Sequence, residues 1–289
     1  MMRTFETAKP IAVTVEVGVG DVRIAASERD DTVVEVQPSD SSRREDVLAA
    51  EQTQIDFEDG RLLVTTARGW RRWSPFTDDG SVDVRIELPE GSDVTTVTAV
   101  AQLRATGRLG ACRCTAAAGG IRLEEAGAVR LRTSAGDIDV DRVAGDADVG
   151  TASGAVRLGA VAGNAVIKSS SGDSWIGDAA GHVRVRAAKG AIAIDRAHDT
   201  VAAKSGMGSI RLGEVSRGSV VATTGMGSVE IGIGEGAAAW LDLGTGHGNV
   251  RNELDDTAPP AAGERTVEVR AQSGYGDITV RRAITPARR

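Results

Sequence analysis

From residue 101 onward the chain alternates apolar and polar positions with a period of two, and the alternation is punctuated by glycine about every nine residues. Aligned on that residue, the segments read GDIDVDRVA from 136, GAVRLGAVA from 154, GNAVIKSSS from 163, GHVRVRAAK from 181 and GAIAIDRAH from 190. Fifteen such half-repeats run from Ala101 to about residue 235. With the glycine position as zero, positions two and four lie on one face of a strand. Of the thirty residues at these positions, Ser174 alone is not apolar. Positions one and three are mixed, with Asp137, Asp139, Arg157, Arg184, Arg211 and Glu230 among them. One buried and one solvated face is the mark of a half-buried strand, whereas a helix would repeat its apolar residues every three or four positions.

Nine residues cannot close a coil, but two nines can: strand, turn, strand, turn. The pattern therefore predicts an all-β, single-stranded β-solenoid with eighteen residues per coil. Its ladders are expected to be parallel and to join residue n to about n+18, so that Ile138 precedes Val156, Ser174 and Ile192 in one file. Coils stack about 4.8 Å apart, and each buries its apolar side only against its neighbours. The expected domains are a β-rich N-terminal cap with the start of the solenoid over 1–90, the repetitive solenoid over 91–283 and a tail over 284–289. In the cap, strands are predicted at 11–17, 21–26, 31–36, 61–66 and 81–88. A short helix is predicted at 43–52, opened by a Ser42–Glu45 capping box and buried through Val47 and Leu48. At the far end 255–265 reads as a polar, proline-rich loop, after which 267–271 and 274–283 form the last coil.

Composition narrows the picture. Aromatic residues make up 3% of the chain and glycine 36 of its 289 residues, so the core is thin and filled by Val, Ile, Leu and Ala. The net charge of −7 argues against nucleic-acid binding. No apolar leader opens the sequence and no run of eighteen apolar residues crosses a membrane, so a cytoplasmic location is expected. Cys112 and Cys114, at inward positions two and four, are expected as buried small hydrophobes with no disulfide between them.

VEVGVGDVRIAAS (15–27), LPEGSDV (88–94) and GDITVRRA (276–283) resemble the bacterial putative-adhesin family, a domain of unknown function, over nearly the whole chain. The resemblance implies a β-helix fold and no known catalysis, and it transfers no functional residues.

Chemistry-bearing motifs are sparse. The half-repeats lack the calcium-binding pattern G-G-x-G-x-D-x-U-x. His182, His198 and His247 have no zinc spacing, and no G-x-S-x-G is present. Asp137, Asp139, Asp141, Asp146 and Asp148 form an acidic group, but the file Arg122, Asp139, Arg157 reads as ordinary cross-strand charge pairing. No catalytic residue, cofactor or metal is expected. Two places stand out as partner-binding candidates. The loop at 69–80 carries Trp70, Arg71, Arg72, Trp73 and Phe76, a composition that suits a plug for the solenoid end, a contact hot spot or a membrane-surface anchor. On the body, Trp175 is expected to lie flat on the outer sheet, with Arg157 across its face and room over Ala193 for a sugar ring or a partner side chain. The function this supports is a non-enzymatic scaffold or interaction protein with an unknown protein or glycan partner; a carbohydrate-active β-helix enzyme is the alternative.

Overall fold

The computed structural model describes residues 1–66, 80–254 and 265–283. The chain divides into two compact units, Met1–Ala144 and Gly145–Arg289. Within the first, the strand Ala12–Ser27 runs parallel to Asp93–Leu109 over most of its length. Cys112–Ala118 and Ile121–Ala126 stack on Asp93–Leu109, and Val129–Ala135 and Ile138–Val143 follow. Val94 pairs with Cys112, Cys112 with Val129 and Ile121 with Ile138, so each coil advances by seventeen or eighteen residues. In the second unit Val156, Ser174, Ile192 and Ile210 occupy successive rungs of one parallel ladder. Ala165, Val183, Val201 and Val220 do the same on the other. This is the eighteen-residue β-solenoid that the alternation predicts.

The inward residues are those of positions two and four. Ile138, Val140, Val156, Leu158, Ile167, Ile176, Val185, Ile194 and Ile231 are all fully buried. Cys112 and Cys114 are free and buried in the same files. Burial raises both thiols above their ordinary range, Cys114 to about 11.

One corner of each coil is built on close backbone contact. Gly190 has φ +130°, and a Cβ there would stand 2.2 Å from the carbonyl oxygen of Gly172 in the coil before. The same corner carries a buried hydroxyl one strand back. Ser205 Oγ donates to the Gly190 carbonyl at 3.1 Å, Thr224 Oγ1 to Gly208 at 2.8 Å and Ser273 Oγ to Gly227 at 3.0 Å. The hydroxyl ladder supplies these half-buried carbonyls with a hydrogen bond.

The first unit opens with antiparallel strands that the repeat does not contain. Met2–Glu6 pairs with Asp31–Pro38, which pairs with Val82–Pro89. Gln54–Glu58 and Arg61–Thr65 form a hairpin across Asp59 and Gly60, both at positive φ as a two-residue Asp-Gly turn requires. Phe5 and Phe57 stack at 4.9 Å over this region. Gln54–Glu58 and Met2–Glu6 are strands the alternation did not predict.

Two expectations are corrected. The helix Arg44–Gln52 is present, but its N-cap residue Arg43 makes no side-chain cap, and Ser42 Oγ donates to Asp40 instead. Asp46 and Ala50 are its buried residues, whereas Leu48 is exposed. Asp46 faces inward because its carboxylate accepts the backbone N–H groups of Asp40 at 3.1 Å and Ser81 at 3.0 Å. Nor does the chain end on its last coil. Arg265–Tyr275 pairs on one side with Gly218–Met226 and on the other with Ala237–His247. Ile278–Arg282 likewise lies between Val229–Ile233 and Val250–Asn252. The coil formed by the C-terminal strands is thus inserted beneath an earlier one, whose Trp240 and Val250 are exposed. Insertion is possible because every coil buries the same kind of inner face.

Candidate functional site

Ser174–Ala179 presents Ser174 and Ile176 to the core and Trp175 outward. Trp175 retains 36% of its surface, while Ser174 keeps 1% and its Oγ has no hydrogen-bond partner. Arg157 and Ala193 are the register neighbours of Trp175 on either side. The indole lies against the sheet as expected, but it is held differently. It leans along its own strand over Gly177, where a Cβ would come within 3.0 Å of Cη2. Its Nε1 donates to Asp195 Oδ2 in the next coil at 3.2 Å. The hydrogen bond to Asp195 ties the ring to the following coil, on the side where small Ala193 is its register neighbour, rather than to Arg157. Asp195 was the functional neighbour missed in the sequence; its position two rungs on from Gly159 and one from Gly177 in the register was the available signal.

Trp70, Arg71, Arg72, Trp73 and Phe76 lie outside the described residues, as do 255–264 and the 284–289 tail.

The acidic group is absorbed by local structure. Arg122 Nη2 meets Asp139 at 2.8 Å, the cross-strand pairing read from the sequence. Asp146 Oδ1 accepts the backbone N–H of Asn164 at 2.7 Å. The histidines are scattered: His198 Nε2 lies 3.2 Å from Asp178, and His247 stacks on Tyr275 with ring centroids 4.5 Å apart. Among the described residues no group of His, Cys, Asp and Glu is placed to hold a metal ion. A polar cavity of about 180 Å³ in the first unit is lined by Asp21, Arg23, Glu35, Gln37, Asp83 and Arg85. Its side chains bond to one another or to close neighbours, Arg23 to Asp21, Gln37 to Glu35 and Arg85 to Glu87.

The model of the Toastrack DUF4097 family matches residues 9–281. The chain belongs to this family. Solved structures that resemble this Toastrack chain share little sequence with it. A "putative adhesin" from Bacteroides fragilis is 13% identical over 97% of this chain and 96% of its own, with a TM-score of 0.43. A "putative lipid binding protein" from Parabacteroides distasonis is 12% identical over 97% and 96%, with a TM-score of 0.37. A "putative cell adhesion protein" from Clostridium sporogenes is 13% identical over 98% and 99%, with a TM-score of 0.24. No curated protein matches the chain.

Proposed function

We propose that this Toastrack chain is a non-enzymatic interaction scaffold whose rigid outer sheets present files of side chains to a partner, with Trp175 and Arg157 as a contact. One observation carries the reading. An indole that is 36% exposed lies against the sheet over Gly177 and is pinned by Asp195, so it is ordered before a partner arrives. A pre-ordered aromatic loses little side-chain entropy on binding and makes an efficient anchor. Arg157, one rung away, is exposed and supplies a charged group at the rim. A cytoplasmic location remains part of this proposal.

The test is a photocrosslinking residue in place of Ala193, beside Trp175, with the same residue in place of the exposed Val221 on the other sheet as a control. A partner adduct is expected at 193 and not at 221, and Trp175→Ala should abolish it. An adduct at 193 that survives Trp175→Ala, or equal capture at both positions, would remove Trp175 from the interface.

A further inference from the structure

The second sheet of the second unit carries a different outer face. Its strands Ala165–Ser171, Val183–Lys189 and Val201–Met207 read AVIKSSS, VRVRAAK and VAAKSGM. They hold five cationic residues and no carboxylate, in a chain whose net charge is −7. Lys168 pairs in register with Arg186, and Arg186 with Lys204, so three positive side chains stand on successive rungs about 4.8 Å apart. Arg184 and Lys189 flank Arg186 on its own strand. All five are exposed. Among the described residues none of them forms an ion pair, whereas Arg122, Arg142, Arg196, Arg270 and Arg281 each meet a carboxylate across the ladder. The carboxylate of Asp148 lies a rung before Val166, in the file of Arg184 rather than that of Arg186.

Like charges on adjacent rungs destabilise a sheet, so the arrangement does not serve the fold. A file of cations along a flat, rigid face is complementary to a linear polyanion. The anion's repeat must be short enough to offer a charge at each rung. A single-stranded nucleic acid would also need aromatic platforms for its bases, and these three strands contain no aromatic residue. A polysaccharide with a carboxylate on every sugar needs none, and its rings advance by roughly one rung each. Arg184 and Arg186 suit it further, because guanidinium groups take carboxylates through paired N–H bonds.

We propose that Lys168, Arg184, Arg186, Lys189 and Lys204 form a binding strip for a linear, carboxylated polysaccharide. The strip rests on the reading of the chain as an interaction scaffold but not on Trp175, which lies on the other sheet.

The experiment measures fluorescence anisotropy of a labelled β-1,4-linked mannuronate hexamer with the full chain at low ionic strength. A neutral β-1,4-linked mannose hexamer and a thymidine hexanucleotide serve as comparisons. The mannuronate is expected to bind, the mannose hexamer not to bind, and the nucleotide to bind more weakly. Arg186→Glu with Lys204→Glu should weaken mannuronate binding at least about tenfold, the scale of one charge-assisted hydrogen bond, and Trp175→Ala should leave it unchanged. Lys168→Gln with Lys204→Gln is the milder pair should the double reversal disturb folding, and it should weaken binding in the same direction. Equal binding of mannose and mannuronate, unchanged binding in both strip variants, or loss with Trp175→Ala alone would overturn the strip. Tighter binding of the nucleotide would overturn the polysaccharide assignment. None of these outcomes decides the Trp175 contact, which the crosslinking at 193 reads separately.

Discussion

The two sheets of the second unit bury the same kinds of residue and differ on the outside. On the sheet of Ser174–Ala179 and Ile192–Ala197, outward groups answer one another: Asp178 meets Arg196 at 2.8 Å and His198 at 3.2 Å, and Asp195 holds the Trp175 indole. On the sheet of Val183–Lys189, Arg186 stands between Lys168 and Lys204 with no carboxylate beside it. Inner faces so alike set the fold, and they leave outer faces free to diverge. The difference separates outward charges that are paired within the fold from cations that have no carboxylate on the neighbouring rungs.

Both faces depend on the corner that turns one sheet into the other. Gly190→Ala is expected to have the largest effect, because the new Cβ meets the Gly172 carbonyl at 2.2 Å in a backbone region L-residues avoid. The loss should reach roughly 4 kcal/mol or more, the upper tail for single substitutions. Urea unfolding followed by circular dichroism reads it, and a loss below about 1 kcal/mol would mean the corner can open without harm.

Ser174 is the inner position beside Trp175, and its hydroxyl is buried without a partner. Ser174→Val removes that unsatisfied group and matches Val156 and Ile192 in the file. It should raise stability by about 1–2 kcal/mol. A fall in stability would show that the site is too tight for one further methyl group or that the hydroxyl is hydrogen-bonded.

A smaller effect separates paired from unpaired charge by pH. In the first unit Arg29, between Asp31 at 2.7 Å and Glu87 at 2.6 Å, holds both carboxyls below their usual range. A depressed carboxyl stabilises the fold above its unfolded pKa, and that contribution is lost as pH falls through the folded value. Arg29→Ala should therefore lower the midpoint of thermal unfolding slightly at pH 7 and leave it unchanged at a pH below both carboxyls. The pairs are half-buried at the surface and still reached by solvent, so the difference is small. Equal shifts at both pH values would place the role of Arg29 in packing.

Much of the fold was legible because its rule is repeated: Ile138, Val156 and Ile192 announce an inner file, and the spacing between them sets the coil. The rung order at the C-terminal end was not legible. Val269 and Val280 meet the same inner rule as Val220 and Val229, so nothing in them says which coil lies next. The buried face of the helix was read at Val47 and Leu48 instead of Asp46 and Ala50, because an acidic residue in a helix reads as solvated until the N–H groups of Asp40 and Ser81 are seen to need it. The orientation of Trp175 could be read from Ser174 and Ile176, but its partner Asp195 belongs to the next coil. Arg157 was favoured by charge and register, whereas the direction of the indole's lean is set by bare Gly177. The cations of the strip were all in view as residues, yet their isolation from carboxylates emerges only when three strands are laid side by side.

The charges of Asp178 and Arg196 are thus paired across their ladder, whereas those of Lys168, Arg186 and Lys204 are not. Thermal unfolding of Arg196→Ala and Arg186→Glu, at low and at high salt, tests this difference most directly. Losing the bridge to Asp178 should lower stability by up to about 1 kcal/mol. Reversing the central charge between Lys168 and Lys204 should raise it by a similar amount. Both shifts should shrink in high salt. Shifts of the same sign for the two variants would show that the two sets of outward charges do not differ in this way.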